Sequence, residues 1–342
     1  MNEGLPPLLE VSGLRVSYRT GAGVAGAVDG VSFELAQGET LGLVGESGCG
    51  KTTVGRAIVR VLPANARIDG GSVRFKGRDL VALPEDELRR VRWRDIAIVP
   101  QSAMNALNPV FRVGRQIEEV VIEHEGVSRA EARRRTRDLF GLVKIDPART
   151  EDYPHQFSGG MRQRALVAMA LALGPSLLIA DEPTTALDVI TQDRIFTRIR
   201  QLQHRVHASM LLITHDMGLV AENCERVTVM YAGKIVESGE TRRLFKEPVH
   251  PYTLGLKNAF PSTTRPRDQA LISIPGAPPS LLAPPAGCRF AARCPFATAV
   301  CREVEPPLVE VGSQHLAACH HAGRAEEMRQ RAAEGETWAT TG

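Results

Sequence analysis

The sequence predicts an α/β fold, and three stretches carry that expectation. LGLVG (41–45) is a compact apolar strand that runs into a glycine-rich loop, GESGCGKTT (45–53), and then into a helix, KTTVGRAIVRVL, that stops at Pro63. LLIAD (177–181) and MLLITH (210–215) are two further short apolar strands. Apolar runs of strand length, bounded by turn residues and alternating with helical spacing, read as strands buried in a mixed fold.

The bulk numbers agree. A chain of 342 residues has room for two or three domains at roughly 150 residues each. With 43% hydrophobic and 24% charged residues it has the composition of a soluble globular protein. Net charge is +3, from 42 basic and 39 acidic residues, a balance that by itself neither demands nor excludes nucleic acid, although a dedicated binder usually shows a stronger basic excess; no nucleic acid is among the partners expected here. The opening MNEGLPPLLE has neither the basic start nor the apolar run of a secretory signal. The most apolar stretch, Ala165–Ala180, is broken by Gly174-Pro175 and falls short of the roughly 20 residues that span a bilayer. The chain is therefore not expected to cross a membrane itself, and its six cysteines are not expected to form a secreted disulfide scaffold.

The elements follow in order, with no internal repeat. LLEVSGLRVSY and VDGVSFELAQGETLGLVG read as strands, the second broken by a turn at Gly38-Glu39. IDGGSVRFKG (68–77) reads as a turn at Asp69-Gly70-Gly71 followed by a strand. SRAEARRRTRDLFGLV (128–143) reads as a helix opened by a Ser128/Glu131 capping box, with a basic, solvated face. GMRQRALVAMALAL (160–173) is a more buried helix, and VTVMYAGKIVESG (227–239) is strand, turn, strand. Beyond about residue 250 the composition shifts: ten of the 22 prolines lie in 261–307. Proline lacks an N–H and clashes with a preceding helical turn, so this is expected to be an irregular extension held together by something other than regular ladders. The last stretch, RAEEMRQRAAEGETWATTG, is expected to be a short helix with a frayed end.

Gly45, four residues, then Gly50-Lys51-Thr52, set between strand and helix, fit the phosphate-loop pattern. Glycines let successive backbone N–H groups turn inward around phosphate oxygens, and the helix N-terminus adds its positive dipole end. Gly45, Glu46, Ser47, Gly48, Cys49, Gly50, Lys51, Thr52 and Thr53 are thus the expected nucleotide-binding residues. Within them Lys51 faces the β- and γ-phosphates and the Thr52 hydroxyl takes Mg²⁺. Cys49 is read as a tolerated small residue whose thiol pKa the helix terminus lowers; its alkylation is expected to block nucleotide binding, with ATP protecting it. At the end of LLIADEP (177–183), Asp181 supplies a carboxylate to the magnesium shell and Glu182 can polarise an attacking water, which points to ATP hydrolysis.

With FSGGMRQR (157–164) in view, the chain resembles an ABC ATPase. That stretch is similar to the LSGGQ signature, departing from it at Phe157 and Met161 while keeping Ser158, Gly159 and Gly160. The resemblance covers about 8–260 and implies a RecA-like core, an antiparallel β subdomain and a helical subdomain at about 102–165, all within an ATPase domain of 8–250. It implies that two such domains dock head to tail, each signature closing the other's nucleotide. Gln101 then looks like the Q-loop residue that reaches the metal and the water, His215 like the H-loop histidine at the γ-phosphate, and Asp188 like the D-loop residue that crosses the dimer. Tyr18 sits where the family places an aromatic on adenine.

PQSAMNALNPVFRVGRQI (100–117), HPYT (250–253), IPGAPP (274–279) and GCRFAARCP (287–295) resemble the oligopeptide and dipeptide importer ATPases in particular. That implies a peripheral subunit on the cytoplasmic face of the cell membrane, bound to a second ATPase subunit and two membrane permease subunits, with a solute-binding protein supplying peptide. Related nickel or glutathione importers are the alternative, and a non-transport ABC ATPase of DNA repair or translation is the rival class.

Cys288, Cys294, Cys301 and Cys319 lie in the extension, read as 251–323 and followed by a 324–342 tail. None of their spacings is the short knuckle of structural zinc. Four thiolates can hold a [4Fe–4S] cluster, and some relatives in the importer group are thought to carry one here. Zinc with His315, His320 or His321, unmetallated thiols and disulfides stay open. Arg289 and Arg293, flanking the first two cysteines, are expected to offset thiolate charge.

Overall fold

A computed structural model of the chain describes residues 6–101, 106–183, 207–259 and 273–339, with isolated residues between 192 and 203. The strands in chain order are β1 (Leu9–Thr20), β2 (Gly23–Leu35), β3 (Thr40–Val44), β4 (Ala66–Phe75), β5 (Arg78–Asp79), β6 (Ile96–Val99), β7 (Leu177–Asp181), β8 (Ser209–Thr214), β9 (Arg226–Tyr231), β10 (Lys234–Glu240), β11 (Val309–Gly312) and β12 (His315–Ala317). The principal helices are α1 (Lys51–Ile58), α2 (Glu85–Val91), α3 (Val113–Glu125), α4 (Arg129–Leu142), α5 (Gly159–Ala170), α6 (Met217–Asn223), α7 (Thr241–Lys246), α8 (Pro251–Ala259), α9 (Ala299–Glu303), α10 (Ala325–Ala332) and α11 (Gly335–Ala339).

The chain divides into two compact units. The first lies within Met1–Leu35, Thr40–Val81 and Thr214–Gly342, so that by contacts the extension groups with the glycine-rich loop and not apart from residues before 250. Here β1 pairs antiparallel with β2 (Leu9 opposite Leu35) and with β4 (Leu9 opposite Phe75), and β5 closes the edge. The Asp69-Gly70-Gly71 stretch, expected to be a turn, lies inside β4 as a register irregularity opposite residues 12–15 of β1. Gly71 has φ +85° there, and a Cβ on it would meet the Gly13 carbonyl oxygen at 2.4 Å. The glycine therefore permits a close strand crossing that the dipeptide pattern alone reads as a reversal. β3 pairs parallel with β9 (Leu41 opposite Arg226), and all five of its residues are buried, as a strand covered on both faces requires. The β9–β10 hairpin is as expected.

The extension corrects one expectation. It contains a regular ladder, the β11–β12 hairpin, whose β12 adds antiparallel to β10 with Glu237 opposite Ala317. The reason is local: Pro306 and Pro307 precede the hairpin, and residues 308–323 carry no proline. The tail is helical as expected, but its described part is docked. Trp338 is buried, its Nε1 donates to the Ala332 carbonyl at 3.0 Å, and the Asn258 amide of α8 donates to the same carbonyl at 2.7 Å.

The second unit lies within Ala36–Glu39 and Ala82–Ile213. β6, β7 and β8 form a parallel run, Ile96 opposite Leu177 and Leu177 opposite Ser209. Helices α3, α4 and α5 pack together. Val113, Ile117 and Val121 of α3 and Ala132, Thr136 and Phe140 of α4 recur at four-residue spacing and are buried, so each helix turns one face inward. The Ser128 side chain accepts from the Glu131 N–H at 3.3 Å, the cap read from the sequence. Among the described residues no helix is long and apolar enough to cross a membrane.

Candidate functional site

In the first unit the loop between β3 and α1 is approached closely by neighbouring backbone. Gly45 and Gly50 have φ +156° and +107°, and a Cβ on them would meet the Met230 carbonyl oxygen at 2.1 Å and the Ala27 carbonyl oxygen at 2.3 Å. Only glycine fits where neighbouring backbone approaches this closely. Lys51 is buried; its ammonium donates to the Gly45 carbonyl at 2.7 Å and the Glu46 carbonyl at 2.9 Å. The ammonium thus lies back on its own loop, from which a phosphate can draw it. Thr52 and Thr53 follow in α1, and the Tyr18 hydroxyl sits 3.0 Å from Thr53 Oγ1. The structure brings Tyr18 and 45–53 together, with the tyrosine half-buried beside the helix.

The Cys49 thiol departs from the lowered pKa expected of it. It is buried, and burial pushes its thiol above the ordinary value, against the opposing pull of the Lys51 ammonium 3.7 Å away. Desolvation disfavours the thiolate more than the neighbouring cation favours it. Cys49 is a buried small residue whose thiol pKa is raised, not lowered.

In the second unit Asp181 ends β7 and is buried. Glu182 follows with φ +45°, a conformation costly for a residue with a side chain, and its N–H donates to the Ile213 carbonyl at 2.8 Å. Its carboxylate accepts from the Gln101 amide at 2.7 Å. Two residues separated by 81 positions are thereby joined, and strained backbone aims the carboxylate.

Ser158, Gly159 and Gly160 open α5, with Ser158 exposed and both glycines partly so. The Ser158 hydroxyl accepts from the Met161 N–H at 3.3 Å, leaving helix N-terminal donors toward solvent. The two departures from the signature are structural. Phe157 is buried, edge-on to Phe140 at 6.2 Å, and Arg149 lies over its ring and contacts the Met161 sulfur at 3.4 Å. His215 is exposed just after β8, ahead of Asp216, which caps α6. Asp188 lies outside the described residues.

Cys288, Cys294, Cys301 and Cys319 line one small cavity with His320 and His321. Burial pushes Cys288, Cys294 and Cys319 upward, Cys319 to about 11. The donor chemistry suits a thiolate-bound group, but among the described residues no three ligating side chains are drawn together as a metal set. His321 Nε2 is 3.6 Å from Cys301 Sγ. His315 belongs elsewhere: it pairs with Glu237 at 2.7 Å, both fully buried. The two arginines do not balance the thiols as expected. Arg289 pairs with Asp29 and donates to the Ala232 carbonyl, and Arg293 pairs with Glu46.

Sequence reasoning missed Arg293 and Tyr252 as neighbours of the loop. HPYT and GCRFAARCP marked both segments, but no local pattern shows that either reaches Glu46.

Comparisons with known proteins identify the family. The profile of the ABC transporter family matches residues 28–185, and that of the oligopeptide/dipeptide transporter C-terminal region matches residues 236–301. A probable peptide ABC transporter ATP-binding protein of Sinorhizobium fredii is 51% identical over 315 residues, covering 91% of this chain and 94% of the relative. The oligopeptide transport ATP-binding protein OppD of Salmonella typhimurium is 47% identical over 314 residues, covering 91% and 93%. The dipeptide transport protein DppD of Lactococcus lactis is 47% identical over 313 residues, covering 91% and 89%. Among solved structures, a dimeric ATP-binding cassette bound to ADP and phosphate is 26% identical, with TM-score 0.62, covering 68% of this chain and 99% of its own.

Proposed function

The chain belongs to the ABC transporter ATP-binding family, in its oligopeptide/dipeptide branch, and from that premise we propose how its residues divide the work. It is the ATP-hydrolysing subunit of a peptide importer. The observation that carries the peptide assignment is the C-terminal region, residues 236–301, which matches that of oligopeptide/dipeptide transporters. Relatives named for oligopeptide and dipeptide transport weigh against the nickel or glutathione alternative and against a role in DNA repair or translation.

Gly45–Thr53 hold the triphosphate, with Lys51 leaving its loop carbonyls for the β- and γ-phosphates and Tyr18 taking the adenine face. Oxygen donors suit Mg²⁺, and Thr52, Gln101 and Asp181 would hold it, where it would supply positive charge against the phosphates. Glu182 accepts the proton of the attacking water. Its bond to Gln101 supports that role: the amide holds the carboxylate in one orientation until the water needs it. His215 contacts the γ-phosphate, and Ser158, Gly159 and Gly160 close the nucleotide of a second ATPase subunit, with Asp188 at the crossing. Exposure of Ser158 and the dimeric ADP-bound neighbour support a head-to-tail pair. ATP closes the pair, closure moves two permease subunits at the cytoplasmic face of the membrane, and hydrolysis resets them. A solute-binding protein delivers the peptide.

The subunit division into an ATPase domain (8–250), an extension (251–323) and a tail belongs to the same proposal. For the extension we retain a [4Fe–4S] cluster on Cys288, Cys294, Cys301 and Cys319 as its organising crosslink, supported by their shared cavity. Zinc, with His321 as fourth ligand, is the second reading, favoured by its distance from Cys301. Iron and labile sulfide in anaerobically purified protein support the cluster; their absence with stoichiometric zinc supports the second. For the ATPase, Glu182→Gln is expected to lower turnover by about 10²–10⁴-fold while ATP binding persists. Turnover like the wild type would remove Glu182 from its role.

A further inference from the structure

Glu46, the second residue of the phosphate loop, is held at three points. The Arg293 guanidinium grips its carboxylate with both arms, Nη1 to Oε2 at 2.8 Å and Nη2 to Oε1 at 3.1 Å. Its N–H donates to the Tyr252 hydroxyl at 2.8 Å, and its carbonyl accepts from Lys51. Two of these three restraints come from beyond residue 250.

Arg293 is itself fixed. Its Nε donates to the Pro275 carbonyl at 2.8 Å, and its Nη1 donates to the Tyr231 hydroxyl at 3.2 Å. The guanidinium lies over the rings of Tyr231 and Phe290, at 5.7 and 5.9 Å from their centroids. The Tyr252 ring packs at 4.6 Å from Tyr231 and 5.4 Å from Phe290. With 6% of its surface exposed, Arg293 has been taken out of water. An exposed ion pair adds little to stability, but a buried cation needs its partner. The planar fork is what lets one side chain meet a carboxylate, a hydroxyl and a carbonyl together.

We infer that Arg293 is a positioning residue for the phosphate loop, acting through Glu46, and that the cysteine-rich extension thereby sets the affinity of the loop for ATP. This rests on the reading that the loop takes ATP. Two effects run together. The clamp keeps the loop backbone in shape when Lys51 leaves the Gly45 and Glu46 carbonyls for phosphate, so less ordering remains to be done on binding. It also neutralises a carboxylate that would otherwise repel the incoming triphosphate. Arg293 immediately precedes Cys294, so whatever organises the four cysteines also holds this arm.

The test is equilibrium binding of a fluorescent ATP analogue, with Mg²⁺, to the purified full-length chain. Arg293→Met is expected to weaken binding by about tenfold or more, and by less than about threefold in a Glu46→Gln background, because the uncompensated charge is then gone. Thermal unfolding without nucleotide checks that each variant folds. If Arg293→Met does not fold, Arg293→Lys decides, with a smaller loss that Glu46→Gln again suppresses. Binding by the Arg293 variant within twofold of the wild type, or an equal loss in both backgrounds, would overturn the inference, since a merely structural arginine gives that second result. A wild-type chain that binds no analogue, or a Lys51→Ala variant that binds as well as wild type, would instead overturn the ATP reading and the inference with it.

Discussion

The phosphate loop and the cysteine-rich extension are both irregular backbone, and they hold their shape in different proportions from within and from outside. The loop owes most of its shape to its own residues: its glycines admit the Met230 and Ala27 carbonyls at close range and Lys51 bonds two carbonyls of its own segment, with Arg293 and Tyr252 fixing Glu46 from outside. The extension is held from outside, by Arg289 on Asp29, Arg293 on Glu46, and Phe290 against Tyr231 and His250. A locally determined segment announces itself as a motif. A segment fixed by distant partners leaves only single residues in the sequence.

The contrast is broken most sharply at Phe290. Phe290→Ala removes a fully buried ring at the centre of the aromatic group and is expected to destabilise the chain by about 3–5 kcal/mol in urea unfolding. A loss below about 1 kcal/mol would mean the extension does not depend on that packing. Gly50→Ala tests the loop from within. The added Cβ meets the Ala27 carbonyl oxygen at 2.3 Å and the Met230 methyl at 2.7 Å. It is expected to cost roughly 1–3 kcal/mol of stability and to weaken ATP binding. Unchanged binding would show that the loop tolerates the side chain.

Acid sharpens the comparison, because the extension contacts a group that must stay neutral. His250 is fully buried, its Nδ1 accepts from the Tyr252 N–H at 3.1 Å, and burial lowers its pKa to about 3. The unfolded chain titrates this imidazole near 6.5, so between those values the unfolded state binds the extra proton. The stability His250 contributes is present above pH 6.5 and falls toward pH 3, by up to about 1.4 kcal/mol per pH unit. Stability curves at pH 7, 6 and 5 are expected to converge in His250→Gln; an unchanged pH slope would reject the assignment. The smallest effect is at Cys49. Because the thiol is buried and its pKa raised, iodoacetamide is expected to label it slowly with or without ATP, measured by mass spectrometry. Fast labelling that ATP suppresses would restore the acidic thiol.

The parts legible in the sequence are those whose physics is local or periodic. LGLVG and LLIAD read as buried strands, Ser128 capped its helix, and GESGCGKTT sat between strand and helix. The acidity of the Cys49 thiol was misread because the helix terminus is local and visible in sequence, while the burial that outweighs it is not. The Asp69-Gly70-Gly71 reversal was misread because Gly71 serves a crossing with Gly13, 58 positions away by subtraction of those residue numbers. Arg293 and Glu46 lie 247 positions apart, and nothing in either neighbourhood names the other. The β11–β12 hairpin was hidden by the proline density around it, although its own residues are free of proline.

The measurement that bears most directly on the whole account is a structure of the Glu182→Gln chain with MgATP in its assembled ATPase pair. Ser158, Gly159 and Gly160 of one subunit should contact the triphosphate lying on Gly45–Thr53 of the other. A bound triphosphate with the signature residues turned away from it would contradict the shared clamp on which the importer cycle rests.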